Sequence, residues 1–362
     1  MRRARRLASH PASAPAIVQL IISRLLTDIQ VLYTEENTKT AERQNAKNLK
    51  NVKKPLTFSA IHASWRFQYP FSIHSGQTHT PIVKEKSFLG LSQSGFHRIA
   101  YTEWGDERNP RVLICVHGLT RNGRDFDLLA ASLSRHYRVI CPDIAGRGKS
   151  DWLANKADYN YPQYLADMNA LIARSEAESV DWLGTSMGGL MGMLLAAMPG
   201  SPIGKLVIND AGFVLAREAL ERIGEYVGDD TRFDTYEEFR NYIRAISEPF
   251  ALKTDAQWDL VARHMASFDE NGKVHCNYDP GIAQTFITAA TSDVDLSAYW
   301  KAVACPVLVV RGALSDLLPR TVYREMLGKP GVKGVEIPGV GHAPMFMDEA
   351  QISVVHDFLL TR

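Results

Sequence analysis

From Lys84 onward, apolar residues gather into short runs separated by polar turns. Val112 to Val116, Arg138 to Cys141, Ser179 to Leu183, Lys205 to Asn209 and Pro306 to Val310 are nearly unbroken apolar runs. A strand buried on both faces of a parallel sheet reads this way. Val332 to Ile337 is a plausible last strand. Ser87 to Ser92 and His97 to Trp104 instead alternate, which predicts an antiparallel pair. Helical patterns fall between these runs, over Asp125–His136, Pro162–Ser175, Met187–Met198, Arg320–Gly328 and Asp348–Leu360. Alternating strands and helices predict crossover units and a mostly parallel, eight-stranded sheet flanked by helices. Reactive groups are then expected at the carboxyl ends of the strands.

One stretch breaks the alternation. From about Phe213 to Trp300 the pattern is mainly helical, with helices expected over Ala216–Tyr226, Thr235–Ile246 and Ala256–Ser267. An insertion between the sixth and seventh strands would cover the strand ends, so it reads as a cap or lid. The beginning of the chain has a different texture again. Residues 1–57 carry eleven Lys/Arg against four Asp/Glu, while the whole 362-residue chain has a net charge of only +1. The basic excess therefore belongs to the N-terminal segment, and nothing global points to nucleic acid. An arginine-rich, acid-poor start resembles an organelle transit peptide; a plain extension is the simpler expectation, with a cytoplasmic protein following from it. The expected organisation is an N-terminal extension over 1–80, a core formed by 81–212 and 301–362, and a helical cap over 213–300.

Composition narrows the chemistry. With 45% hydrophobic and 22% charged residues the chain reads as globular. No run of eighteen apolar residues predicts a membrane span. Cys115, Cys141, Cys276 and Cys305 form no CxxC or CxH pattern, so no metal site is expected. A reducing compartment fits that usage.

Gly184-Thr185-Ser186-Met187-Gly188 is a G-x-S-x-G sequence with an apolar strand before it and a small-residue helix after it. That is the setting of a nucleophile elbow, a sharp turn that lifts a serine above the sheet at a helix N-terminus. Gly341-His342-Ala343-Pro344 lies just past the last strand, where a histidine can reach the elbow from a loop and act as its base. Two acids compete to orient that histidine. Asp316 follows the Pro306–Val310 strand and Asp210 follows the Lys205–Asn209 strand, each at a carboxyl end. Asp316 is the preferred candidate, with Asp210 in a supporting role such as ordering the cap hinge. His117-Gly118 closes the third core strand, its imidazole expected to support the loop. Asp143 to Ser150 is glycine-rich but lacks both the G-x-G-x-x-G and the Walker pattern; it reads as a structural turn in which Arg147 pairs with Asp143.

Taken together, His117-Gly118, Asp143 to Ser150, Gly184 to Gly188, Asp316 and Gly341-His342 resemble the α/β-hydrolase superfamily. The resemblance spans Ser87 to the C-terminus, about three quarters of the chain. His117-Gly-Leu-Thr-Arg-Asn122 with Gly184-Thr-Ser-Met-Gly-Gly189 looks like a group of bacterial hydrolases mostly without a defined substrate. The spacing from Gly312 to Asp316 departs from the pattern, one residue longer than in many relatives.

The resemblance implies a Ser186–Asp316–His342 triad. The order serine, acid, histidine admits Asp210 equally. It further implies an oxyanion hole built from the N–H groups of Leu119 and Met187. A serine at the elbow disfavours the epoxide and haloalkane chemistry of relatives with an aspartate there. The expected activity is hydrolysis of a small or medium carboxylic ester, with no cofactor. Phe213, Trp258, Met265, Phe268, Tyr278 and Phe286 either line the substrate pocket or pack the cap onto the core. Arg121 and Arg124 are expected at the surface, with contact to an acidic substrate group as the alternative. Two other functions remain open at this point: hydrolysis of a carbon–carbon bond in a diketone-like substrate, and non-catalytic ligand binding on a hydrolase fold.

Overall fold

The computed structural model describes residues 83–289 and 292–361; the expected N-terminal extension lies outside them. Eight strands form one sheet: β1 Val83–Ser92, β2 Gly95–Trp104, β3 Val112–Val116, β4 Arg138–Pro142, β5 Val180–Thr185, β6 Ile203–Asn209, β7 Val307–Gly312 and β8 Val332–Ile337. Their order is β1-β2-β4-β3-β5-β6-β7-β8. β1 and β2 pair antiparallel, as does β2 with β4; every later pairing is parallel. The continuous apolar runs occupy the sheet's interior, and all five residues of β3 are buried. Burying each such aliphatic side chain contributes roughly 1.5–3 kcal/mol, which is why these short runs become central strands.

The helices of the core are α1 Asp127–Leu133, α2 Tyr161–Arg174, α3 Met187–Ala196, α4 Arg320–Leu327 and α5 Glu349–Leu360. α1 starts later than the pattern predicts because Gly123–Phe126 forms a 3₁₀ turn, with the Gly123 N–H held by Asp143 Oδ1 at 2.8 Å. Among the described residues, no helix is long and apolar enough to cross a membrane.

Register brings the reactive ends of the strands to one level. Val116 stands beside Gly184, Thr185 beside Asn209, and Asn209 beside Val310. The residues that follow these positions therefore emerge together along one edge of the sheet.

Between β6 and β7 the chain forms the expected helices as Arg217–Gly224, Tyr236–Ile246 and Asp255–Met265. Thr235 and Thr254 start the last two with reciprocal capping boxes through Glu238 and Gln257, which satisfy N–H groups that a helix start leaves unpaired. A 3₁₀ turn over Glu248–Phe250, two short helices, Ile282–Ala289 and Ser297–Ala302, and two small antiparallel ribbons complete the segment. The ribbons pair Val214–Leu215 with Val294–Asp295 and Ala266–Phe268 with Val274–Cys276. Two- and three-residue strands carry too little periodicity to be read from a pattern.

Main-chain hydrogen bonds fasten this segment to the loops at the sheet edge. Gly341 N–H donates to Pro249 O at 2.7 Å, Gly148 N–H to Asn277 O at 3.0 Å, and Asp279 N–H to Gly146 O at 2.8 Å. The Asn122 side chain adds a bond to His264 O at 2.7 Å.

Candidate active site

Ser186 links β5 to α3 with φ 53° and ψ −116°. Such backbone is costly for an L-residue, on the order of 1–3 kcal/mol, and persists only where its surroundings enforce it. Small neighbours provide that enforcement. A Cβ on Gly184 would lie 2.0 Å from Gly188 O, and one on Gly188 would lie 2.1 Å from Val116 O. The first turn of α3 therefore presses directly on β3 and β5. Ser186 N–H donates to Asn209 O at 2.8 Å, and the buried Trp182 indole N–H donates to Gly188 O at 3.0 Å.

Because the obstruction at Gly188 is backbone, it cannot relax by a rotamer change. Gly188→Ala is expected to destabilise the fold by about 3 kcal/mol, the upper end of overpacking effects, as read by urea denaturation. Gly224→Ala is the control: its Cβ would meet nothing closer than 3.9 Å.

His342 Nδ1 lies 2.7 Å from Asp210 Oδ2. The carboxylate can only accept, so the proton is on Nδ1 and Nε2 carries the lone pair of a base. Asp210 is wholly buried. Its other oxygen accepts the Gly312 N–H at 2.9 Å, and its own N–H donates to Val310 O at 2.7 Å. Its φ is 55°, a left-handed conformation that aspartate tolerates better than most residues. Asn209 Nδ2 donates to Pro344 O at 2.8 Å, so the end of β6 also holds the chain just beyond the histidine.

Asp316 does not orient His342, which corrects the preference drawn from sequence. Its side chain is half exposed and ion-paired with Arg222. The cause is crowding at the end of β7. A Cβ on Gly312 would lie 2.0 Å from Gly341 O, so β7 backs straight into the histidine loop and the chain past Gly312 must turn away. Arg311 secures that turn with bonds to the carbonyls of Ala313, Ser315 and Leu318. The carboxylate beside His342 comes instead from the end of the adjacent strand β6. The available signal was an aspartate directly after a central strand; position in the chain could not separate it from Asp316.

His117 is fully buried, donating Nδ1–H to Gly118 O at 2.7 Å and accepting Ile144 N–H on Nε2 at 3.0 Å. Burial, aided by nearby Arg147 and Arg121, pushes its pKa down to about 3, so the ring is neutral. Gly118 C=O and Leu119 N–H belong to one trans peptide and point in opposite directions. The His117 bond thereby sets the direction of the Leu119 N–H. This peptide lies beside the serine, since a Cβ on Gly118 would be 3.7 Å from Ser186 Cβ. Met187 opens α3 immediately after Ser186, where N–H groups have no partner within the helix.

Three further expectations change. Arg147 does not pair with Asp143; its donors go to Leu119 O, Ala145 O and the Tyr164 hydroxyl. Asp143 instead accepts the N–H groups of Gly123 and Lys149, and burial raises its pKa to about 6. Arg121 and Arg124 are not solvated surface residues: Arg121 makes a two-pronged bridge to Asp125, and Arg124 pairs with the buried Asp127. Of the aromatic and apolar candidates in the inserted segment, Phe213, Trp258, Met265 and Tyr278 are buried. Phe213 stacks on Trp300 with ring centroids 6.2 Å apart. Phe286 packs against the core cluster and Phe268 is exposed.

The chain resembles known proteins over most of its length. A model of the alpha/beta hydrolase family matches residues 113–353. A 3-hydroxybutyrate-oligomer hydrolase from Cupriavidus necator is 49% identical over 277 residues, which is 74% of this chain and 94% of that protein. Among solved structures, an alpha/beta hydrolase from Novosphingobium aromaticivorans superposes with a TM-score of 0.70 at 36% identity, covering 76% of this chain and 98% of the other. A protein from Rickettsia typhi gives a TM-score of 0.71 at 30% identity, covering 77% and 98%. The serine turn, the carboxylate-bound histidine and the sheet order that aligns them agree with that match: the chain belongs to the alpha/beta hydrolase family.

Proposed function

We propose that the protein is a serine hydrolase of carboxylic esters, with oligomeric esters of 3-hydroxybutyrate as its substrate class. The observation that carries the reading is the Asp210–His342 contact of 2.7 Å on the histidine loop, at the sheet edge from which Ser186 also emerges. A buried carboxylate on Nδ1 leaves Nε2 free to take a proton, which an unactivated serine requires. The substrate class is supported by the 49% identical relative, whose name specifies that oligomer.

In the reaction, His342 Nε2 accepts the Ser186 proton as Oγ attacks the ester carbonyl. Asp210 orients the ring and stabilises its protonated form. The N–H groups of Leu119 and Met187 receive the developing oxyanion, each typically worth about 3–4 kcal/mol in such sites. His342 returns the proton to the leaving alcohol, and a water activated by the same ring releases the acid. Each step is acyl transfer between oxygens and calls on no cofactor.

The test is turnover of p-nitrophenyl acetate, butyrate and octanoate and of the linear 3-hydroxybutyrate dimer and trimer, followed by nitrophenolate release and by chromatography of the free acid. Turnover of the short nitrophenyl esters together with monomer release from the oligomers is expected. Ester turnover without oligomer cleavage would overturn the substrate class alone. A folded protein inactive on all of them, but active on a ring-fission-type dienoate, would overturn ester hydrolysis in favour of carbon–carbon cleavage.

A further inference from the structure

Arg147 is fully buried, yet no carboxylate lies within ion-pair distance of its guanidinium among the described residues. A charged group so placed is costly unless its donors are satisfied. Here they are satisfied by neutral groups. Nε donates to Leu119 O at 2.8 Å, and Nη1 donates to Ala145 O at 2.8 Å and to the Tyr164 hydroxyl at 2.9 Å. Nη2 meets the Met187 thioether sulfur at 3.9 Å. The Tyr164 and Tyr159 rings cover the guanidinium, 5.0 and 5.8 Å from its central carbon.

The loop that carries Arg147 is shaped to send it inward. Gly146 and Gly148 flank it at φ 82° and 55°, values that favour glycine. A Cβ on Gly146 would strike the Tyr159 ring, and one on Gly148 would strike the Asp143 carboxylate. The backbone of the same loop is bonded to Asn277 and Asp279, which fixes the main chain that carries the arginine.

We propose that Arg147 is the positioning residue of the oxyanion hole, acting through Leu119 and Met187 together. This rests on the serine-hydrolase reading above. The two residues that supply the oxyanion N–H groups come from separate elements, one from the loop after β3 and one opening α3. Arg147 is bonded to the carbonyl of the first and touches the side chain of the second. His117 orients the peptide on the amino side of Leu119, and Arg147 holds the carbonyl of the peptide on its carboxyl side. Both torsions of Leu119 are thereby restrained. The planar fork of arginine makes this possible, because a lysine ammonium cannot address Leu119 O, Ala145 O and the Met187 sulfur from one rigid plane. Its charge adds a fixed positive field beside the site at which negative charge develops.

The experiment compares wild type, Arg147→Lys and Arg147→Met on p-nitrophenyl butyrate and on its thiono counterpart, in which sulfur replaces the carbonyl oxygen. Sulfur accepts hydrogen bonds poorly, so the ratio of oxo to thiono rates reports how well the oxyanion donors are aimed. Wild-type turnover of the oxo ester is required first, and its absence would count against the function reading rather than against Arg147. Arg147→Met is expected to lower kcat by about 10- to 100-fold, less than loss of a whole donor. KM should stay within about twofold, and the oxo/thiono ratio should fall in parallel with kcat. Arg147→Lys, which keeps the charge and loses the fork, should fall between the two and covers the case in which Arg147→Met does not fold. An unchanged oxo/thiono ratio in a folded variant, whatever its rate, would overturn the proposal, as would kcat within twofold of wild type.

Discussion

Asp210→Asn is expected to lower kcat on a p-nitrophenyl ester by about 10⁴-fold, the scale found when a triad aspartate becomes its amide. The amide is nearly the same size, so the end of β6 should keep its shape and the Gly312 N–H can keep an acceptor. The loss lies at the histidine. Asp210 Oδ2 accepts from His342 Nδ1 at 2.7 Å. An amide NH₂ there favours the opposite tautomer, with the lone pair on Nδ1 and the proton on Nε2, where the base is needed. The protonated ring formed during attack also loses its only carboxylate contact among the described residues. Asp316→Asn breaks a half-exposed pair with Arg222, an interaction worth about 0–1 kcal/mol, and its kcat should match wild type. Steady-state kinetics of the two variants side by side decide the assignment; a large loss in Asp316→Asn with little in Asp210→Asn would reverse it.

Ser186→Ala should lower kcat by about 10⁶-fold, comparable with removal of an entire triad. Stability should change little, because alanine keeps the Cβ and the φ of 53° that go with the turn. Ser186→Gly separates the two properties. It should be equally inactive, but glycine adopts positive φ without the Cβ penalty. The fold should therefore gain stability on the order of 1 kcal/mol, the lower end of the strain stored in such backbone. Denaturation midpoints of the three proteins test this, and a Ser186→Gly protein no more stable than Ser186→Ala would show that the turn is not strained. Stability surrendered at the nucleophile is a common trade in enzymes.

The parts legible in the sequence share a physical origin. β3, β5, β6 and β7 were readable because burial on both faces demands an unbroken apolar run, a signal that needs no partner for its interpretation. The turn at Ser186 and the loop at His342 were readable because glycine and proline around them mark turns at strand ends. The acid was not. Asp210 and Asp316 follow adjacent parallel strands, and the choice depends on the 2.0 Å approach that a Cβ on Gly312 would make to Gly341 O. That contact joins the end of β7 to the histidine loop, and no local pattern encodes it. Arg147 was misread for a related reason. Asp143 is four residues away and of opposite charge, which suggested a pair. The positive φ of Gly146 and Gly148 turns the guanidinium inward to Leu119 O instead, while Asp143 is occupied by backbone N–H groups. Arg121 and Arg124 likewise found acids within one helical turn, Asp125 and Asp127, a spacing visible in the sequence and left unused there.

The segment between β6 and β7 is attached to the loops at the sheet edge through side chains, with Asp279 bonded to Tyr159, Gln257 to Met347 O and Lys253 to Asp348, and also through peptide groups: Gly341 to Pro249, Gly148 to Asn277, and Asp279 to Gly146. The peptide links do not depend on which side chains flank them. Exchanging residues of this segment that take no part in the side-chain bonds therefore leaves its peptide links to the loops that carry His342 and Arg147 in place. A directed-evolution campaign on this scaffold should therefore find altered ester preference more often through exchanges in this segment than through changes in those loops.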